Sequence, residues 1–405
     1  MINRLVSCTL AVVLHGLLSA LLVQPGNAFV PALVPPASSK ATPLFAVANP
    51  TATAARDFVF QGHKTYSEVY EPTAVIPKKK KCHVILVHGF GCGTLYWRET
   101  IQLFQQSGYT VHALDLLGQG KSAKPGRADG INYSIRLWAQ QVDDYARANI
   151  PPSSSIVVMG NSLGSMVALT AATGDQTNND DTNDGFIRQS IGGVGMYNCG
   201  VGMNSRNVLR EFSGVQKVIF TAIFDLLDAL VFGNLPLLTY VLDNVVTQEL
   251  LKNALTNLYQ YATDVDERVN DVLVDSFYYP AKDSGSPQAL SQIYTNDPGD
   301  TPMEVYERHS KFLLDRQVPI HLVWGDQDPV TPLAGSVGTF FQAMANESDN
   351  NISMDLVTAG HIPFDEVPES NELMLKWLDN LNDGTTTTSN GGNFLGNVKL
   401  PFFLL

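Results

Sequence analysis

The pentapeptide Gly160-Asn161-Ser162-Leu163-Gly164 constrains this chain more than any other stretch. Ahead of it, Ser155-Ile156-Val157-Val158-Met159 is a short β-branched run that predicts a buried strand. Behind it, Ser165 to Ala172 mixes good helix formers with small residues. Strand, sharp turn and helix make the setting in which a G-x-S-x-G sequence lifts a serine hydroxyl clear of the backbone at the carboxyl edge of a sheet. Glycine is needed at 160 and 164 because the helix and a neighbouring strand crowd such a turn, and a Cβ would clash. Taken alone, the pattern also fits an ordinary Gly/Ser turn, so the reading depends on partners elsewhere in the chain.

The elbow sits in an alternating framework. Cys82 to His88 is a continuous apolar strand suited to burial on both faces, and Gly89-Phe90-Gly91-Cys92-Gly93 follows it. A helix is predicted near Tyr96-Trp97-Arg98, a strand over Thr110 to Leu116 and a helix over 134–149. After the elbow come strands at Ile191 to Tyr197, Pro319 to Gly325 and Ile352 to Val357, with helices at Ala334 to Ala345 and Pro368 to Leu381. An opening hairpin is read over 57–61 and 65–71. The alternation predicts an α/β fold, a mostly parallel central sheet with helices on both faces. Between 205 and 311 it stops, and helices are predicted over Val215–Phe232, Val246–Thr263 and Asp266–Ser276. This segment is most apolar around Val218-Ile219-Phe220 and Leu226-Leu227. It reads as a helical lid over the carboxyl edge, its apolar faces lining a substrate cavity, with a plain helical packing layer as the alternative.

At 405 residues and 44% hydrophobic, the chain has material for one large domain with an insertion, or for two domains. The expected organisation is a signal peptide over 1–28 and a transit-like, disordered stretch over 29–56. The core follows over 57–204, the lid over 205–311, the second part of the core over 312–382 and a flexible tail over 383–405. Arg4, the apolar run from Leu10 to Val23 and the small residues Gly26-Asn27-Ala28 support the leader, with an uncleaved anchor as the alternative. Phe29, followed by an acid-free stretch to about Pro50, resembles the bipartite leaders that carry proteins into the secondary plastids of algae. Secretion or an endomembrane location is the rival, and would make the sequons at Asn132, Asn346 and Asn351 usable. With Cys8 removed, Cys82, Cys92 and Cys199 give an odd thiol count, no disulfide framework and no metal-binding spacing.

A net charge of −13 makes nucleic acid a poor partner. The Lys78-Lys79-Lys80-Lys81 run reads as a solvated hairpin tip. Gly120-Lys121-Ser122 invites comparison with a phosphate loop, but Asp115 stands where that loop needs a glycine, so a nucleotide site is rejected. The acidic stretch 175–185 lacks the calcium-loop residues, with Thr182 and Ile191 at ligand positions, and reads as a solvated loop. The apolar end, Leu400 to Leu405, either docks on the body or touches a membrane; oligomeric state is left open.

The partners that Ser162 requires follow in chain order, at the ends of later strands: Asp328, then His361. A serine hydroxyl needs a base, histidine is suited to that task near neutral pH, and a carboxylate holds the ring in one tautomer. Asp326 and Asp328 both qualify; Asp328 is preferred because Asp326 belongs to the strand end and Pro329 fixes a turn after Asp328. The backbone amides of Phe90 and Leu163 are the expected oxyanion donors. Serine at 162, in place of Asp, sets aside dehalogenase and epoxide-hydrolase chemistry.

At these residues, over about 57–382, the chain resembles the α/β-hydrolase family. His88-Gly89-Phe90-Gly91 with Trp97-Arg98, the stretch Asp115 to Ser122, the elbow and Trp324-Gly325-Asp326-Gln327-Asp328-Pro329 look like plastid and cyanobacterial hydrolases of the pheophytinase and chlorophyll-dephytylase type. Ser165 departs from that branch, which has another glycine there. The resemblance implies the α/β-hydrolase fold and hydrolysis of the phytyl ester of a chlorophyll-type pigment, a small-molecule apolar ester, with no metal and no organic cofactor. A general lipase or carboxylesterase, a Ser-dependent C–C hydrolase and a receptor for a small apolar ligand are the alternatives.

Overall fold

The apolar runs that predict buried strands assemble side by side into one sheet. The computed structural model describes residues 52–73, 79, 81–175, 185–347 and 350–383. Eight strands are present among them: β1 (Ala54–Phe60), β2 (His63–Tyr70), β3 (Cys82–Val87), β4 (Thr110–Leu114), β5 (Ser155–Asn161), β6 (Ile191–Tyr197), β7 (Ile320–Gly325) and β8 (Ile352–Val357). Their order across the sheet is β1-β2-β4-β3-β5-β6-β7-β8. β1 and β2 form an antiparallel hairpin, and β2 pairs antiparallel with β4. From β4 to β8 every pairing is parallel, so β3, β5, β7 and β8 end on one edge.

Why these strands are continuously apolar is plain from their sides. Ile85, Val87, Ile156 and Val158 enter one core, with Trp138, Val167 and Trp324. The intervening Val84, Leu86, Val157 and Met159 enter the other, with Trp97, Phe104 and Met374. Side chains alternate across a strand, so a sheet covered on both faces buries every position. Burying each such Val, Ile or Met contributes about 1.5–3 kcal/mol. Helices α1 (Arg98–Gln106) and Ser370–Asp383 cover the second face; α2 (Ile135–Asn149) and α3 (Leu163–Thr173) cover the first. All residues of α3 are buried, which an apolar helix between sheet and outer helices requires.

The structure departs from the sequence expectations at several points. β1 begins at Ala54, inside the stretch assigned to the leader, because Ala54 to Asp57 already pair with β2. The helix Pro302–Asp315 places Val305, Tyr306 and Leu313 in the sheet core, so it is a packing helix of the body and not the end of a lid. The helix predicted over Asp266–Ser276 is broken at Val269-Asn270, where Asn270 caps a new helix, Asp271–Ala281, by accepting from the Leu273 N–H. Helices Phe186–Ser190 and Ser286–Thr295 are additional. Lys79 is not a solvated tip: its Nζ meets Asp379 at 2.5 Å, lies over the Tyr109 ring and donates to the Ser107 carbonyl. Val218, Ile219 and Leu226 face outward and line no interior. The leader over 1–50, the acidic stretch 176–184, Lys78, Lys80 and the tail from 384 lie outside the described residues.

The helical insertion is tied to the carboxyl edge by buried polar contacts. Arg98 forms a two-pronged pair with Asp365 at 2.9 and 3.0 Å, both side chains fully buried. The same guanidinium donates to the Arg268 carbonyl, and the Tyr259 hydroxyl donates to Asp365 at 2.7 Å. Removing one partner of such a pair strands a buried charge and costs about 3–5 kcal/mol. Trp97-Arg98 thus joins α1, the insertion and the segment after β8.

Candidate active site

Ser162 lies where β5 turns into α3, with φ 54° and ψ −121°. A non-glycine residue held in that region stores about 1–3 kcal/mol of strain, which the surroundings must impose. They do so by crowding. A Cβ on Gly160 would stand 2.1 Å from the Gly164 carbonyl oxygen, and one on Gly164 would stand 2.1 Å from the Val87 carbonyl oxygen. The Ser162 N–H donates to the Tyr197 carbonyl, and its own carbonyl accepts from Gly200 and Ser165, each at 3.0 Å. Ser165 is itself buried, donating its hydroxyl to the Gly160 carbonyl at 2.8 Å, so the departure from glycine at this position adds a tie to the elbow.

Asp328 follows β7 and His361 follows β8. Their side chains meet, His361 Nδ1 lying 2.7 Å from Asp328 Oδ2. Asp326 is exposed at the strand end, so the structure pairs His361 with Asp328 and not with Asp326. Oδ2 also accepts from Asn198 Nδ2 and from the Thr331 hydroxyl, each at 2.6 Å, and Oδ1 accepts from the Val330 N–H at 2.7 Å. Burial pushes this carboxyl up, but the His361 ring, the Thr331 hydroxyl and the Val330 N–H outweigh it and hold it below the ordinary carboxylate value. The carboxylate therefore fixes Nδ1 as the protonated ring nitrogen and leaves Nε2 as the basic one. The elbow is joined to this pair through Asn161, whose Nδ2 donates to the His361 carbonyl and the Tyr197 carbonyl, each at 3.1 Å. Among the described residues Ser162 Oγ has no hydrogen-bond partner. Hydrogen bonds of this kind commonly tighten only when substrate is bound.

The loop carrying Phe90 lies against the serine: a Cβ on Gly89 would be 3.5 Å from Ser162 Cβ. The loop is held by His88. The Leu116 N–H donates to His88 Nε2 at 3.0 Å, so Nδ1 carries the proton and donates to the Gly89 carbonyl at 2.6 Å. Burial pushes the His88 imidazole down to about 4, and it stays neutral in this structural role. Gln119 fixes the far side of the loop by accepting from the Gly91 N–H at 2.7 Å. Leu163 opens α3, so its amide belongs to the free, positive end of that helix. The Phe90 ring packs edge-on against Tyr294 of the insertion, and Tyr294 stacks on Phe232, with centroids 4.1 Å apart.

Asp115 explains the false phosphate loop. Its carboxylate accepts from the Thr94 and Lys121 N–H groups at 2.6 and 2.7 Å, and Gly120 wraps it with φ 53°. A Cβ on Gly120 would stand 2.3 Å from Asp115 Oδ2. The loop's own carboxylate fills the position an anion would take.

Three further site residues escape a reading of the sequence. Asn198 and Thr331 each donate to Asp328, and Glu366 holds the His361 loop by accepting from the Gly360 N–H at 2.6 Å and, from the insertion, the Tyr261 N–H at 2.7 Å. The available signal was slight: an Asn directly after a strand, which the structure places at φ 42°, a conformation that Asn tolerates.

The chain belongs to the alpha/beta hydrolase family, which matches residues 84–370. Over 86 residues it is 35% identical to norfluorocurarine synthase 1 of Strychnos nux-vomica, covering 21% of this chain and 31% of that one. Polyneuridine aldehyde esterase of Rauvolfia serpentina is 33% identical over 88 residues, 22% of this chain and 32% of the other. The probable lysophospholipase BODYGUARD 4 of Arabidopsis thaliana is 36% identical over 93 residues, 22% and 21% of the two chains. The chain thus spans a third or less of the length of these curated relatives. Among solved structures, the epoxide hydrolase CorEH matches with a TM-score of 0.54 at 17% identity, covering 81% of this chain and 99% of its own. A bacterial membrane phospholipase A matches with a TM-score of 0.51 at 17% identity, covering 82% and 87%. These two share the fold.

Proposed function

We propose that this protein is a serine esterase acting on a carboxylic ester with a bulky apolar group, with Ser162 as nucleophile, His361 as base and Asp328 as the acid that orients it. The observation that carries this reading is the 2.7 Å pairing of His361 with a buried, charged Asp328, tied through Asn161 to a serine at φ 54°. Ser162 Oγ attacks the ester carbonyl carbon while His361 Nε2 takes the hydroxyl proton. Negative charge develops on the carbonyl oxygen and is held by the Phe90 and Leu163 amides. As the tetrahedral species collapses, the C–O bond to the alcohol breaks and His361 gives its proton to that oxygen. Water, deprotonated by the same ring, then releases the acid and restores Ser162. Serine at 162 separates this chemistry from that of the epoxide hydrolases sharing the fold.

The phytyl ester of a chlorophyll-type pigment is the substrate we propose to test first. The Phe90, Tyr294 and Phe232 rings give the site an apolar neighbour on the insertion side. A plastid destination, read from residues 1–50, accords with that substrate and is checked by following a fluorescent fusion. Esterase and lysophospholipase names among the relatives support ester cleavage without choosing the ester. The deciding experiment pairs a fluorophosphonate probe with a substrate panel. Ser162→Ala is expected to abolish labelling and lower kcat by about 10⁴-fold or more. Labelling that survives in Ser162→Ala refutes the assignment. Phytol release from pheophytin or chlorophyll supports the pigment ester; rapid cleavage of a lysophospholipid or a short p-nitrophenyl ester with no phytol release replaces it.

A further inference from the structure

A helix that is apolar along its length is ordinarily buried, as α3 is. The helix Gly214–Leu227 is comparably apolar, yet none of its residues is buried. Val215, Val218, Ile219, Leu226 and Leu230 stand 52–75% exposed, and their spacing puts them on one outward stripe. A turn at Gly233-Asn234 bends the chain by 64°, and the second limb, Leu235–Val245, continues the apolar surface to Tyr240, 60% exposed. The inner side of the same hairpin is anchored: Phe232 and Leu238 are buried, and Phe232 stacks on the Tyr294 that packs against Phe90. Among the described residues no single helix is long and apolar enough to cross a membrane, although the two limbs together have the composition of a broken span.

We propose that this bent hairpin, residues 214–245, docks in the plane of a bilayer with uncharged or zwitterionic headgroups. The inference rests on the apolar-ester reading above, and it specifies where that substrate is collected. Three observations favour lipid over a second copy of the chain. The apolar face is bent by 64° between its two limbs, which a fluid surface accommodates and a rigid partner must match in relief. Its two central acids, Asp225 and Asp228, are drawn to one flank by Arg206, leaving the stripe itself uncharged. A net charge of −13 opposes close approach of two copies and also disfavours an anionic leaflet. Phe232 stacks on Tyr294, and Tyr294 packs edge-on against Phe90, so the inner side of the hairpin reaches the proposed oxyanion loop while its outer stripe faces the bilayer.

The test uses the full chain, pure phosphatidylcholine vesicles and the double variant Val218→Glu/Ile219→Glu. Both positions are exposed, so the fold should survive. Wild type and Ser162→Ala should float with the vesicles equally, and the double variant about tenfold less, since two carboxylates resist burial below the headgroups. Hydrolysis of a vesicle-embedded ester should fall about tenfold in the double variant while that of a water-soluble ester stays within about twofold. The proposal is overturned if wild type does not float, if the double variant floats equally, or if both esters lose rate together. It is also overturned if wild type binds only pure phosphatidylglycerol vesicles, or is a dimer that the double variant converts to monomer without vesicle binding. If wild type cleaves neither ester, the esterase reading fails by itself, and flotation still decides the docking.

Discussion

Asp115 and Asp328 are the same residue type in the same kind of place: each is buried just past the carboxyl end of a parallel strand, and each is wrapped by the loop that follows. They are driven in opposite directions. Burial pushes Asp115 up to about 6, because the Lys121 and Thr94 N–H groups and the Lys121 charge only partly replace lost water. Burial also opposes the charge of Asp328, but His361, Thr331 and Val330 more than compensate and hold it low. Depth of burial therefore does not separate a structural carboxylate from one that orients a base. The number and charge of the donors facing it do. Asp115 closes its own loop, while Asp328 remains an anion with a ring to polarise.

If that distinction is right, the two residues fail in different ways when changed. Asp328→Asn should lower kcat by about 10⁴-fold, since the amide no longer fixes the His361 tautomer or stabilises the imidazolium. Asp326→Asn, at an exposed position, should stay within about twofold. Steady-state rates on one soluble ester measure both, and a large loss in Asp326→Asn alone would mean that the wrong carboxylate has been assigned.

Asp115 should appear in stability. Its folded value, about 6, lies above the ordinary 3.8, so the folded state holds its proton more tightly than the unfolded chain. That contribution is present below pH 3.8 and is lost as pH rises through about 6, on the order of 2–3 kcal/mol. Asp328 behaves oppositely: its contribution is present above the ordinary value of 3.8 and is lost as pH falls through its lower folded value. Urea unfolding between pH 4 and 7 should therefore show a decline that flattens in Asp115→Asn. The same variant should be about 1–3 kcal/mol less stable near neutrality, because its amide nitrogen faces the Lys121 N–H. Turnover per folded molecule should be nearly unchanged. An unaltered pH slope in Asp115→Asn would remove the contrast between the two carboxylates.

Most of what positions the site could be read before any coordinates. β6 lies at its expected bounds, Ile191–Tyr197, because a strand buried between neighbours leaves a run of apolar and small residues; β8, Ile352–Val357, is an edge strand and shows itself by alternating apolar and polar residues instead. Gly160 and Gly164 were readable because steric exclusion of a Cβ leaves few substitutes. What could not be read depends on contacts between distant segments. Nothing in the local sequence says that Asn198 will face Asp328, 130 positions away, or that Glu366 will reach both Gly360 and Tyr261. The apolar stretch around Val218 reads as cavity lining, and the structure turns it outward, for a related reason. Periodicity reports that a helix has an apolar stripe and is silent on whether that stripe turns inward.

Smaller effects probe how the low value of Asp328 is maintained. Asn198→Ala removes the 2.6 Å donor to Oδ2 and places a Cβ residue less tolerant than Asn at φ 42°; a loss of kcat of about 10–100-fold is expected. Thr331→Val keeps the shape and removes one hydroxyl, also 2.6 Å from Oδ2. A hydrogen bond to a charged carboxylate is worth about 1.5–3 kcal/mol, and only the share that strengthens in the transition state appears in kcat, which should fall by about tenfold. A merely structural threonine would show the same modest loss of stability, and the acid side of the profile separates the two cases. With one donor gone the carboxyl is held less far down, so the variant should lose stability at a higher pH than wild type as acid is added. Thr331→Ser, which restores the hydroxyl, should return that midpoint. If it recovers nothing, Thr331 is a packing residue, and the low value of Asp328 rests on His361 and the Val330 N–H, the other groups that hold it down.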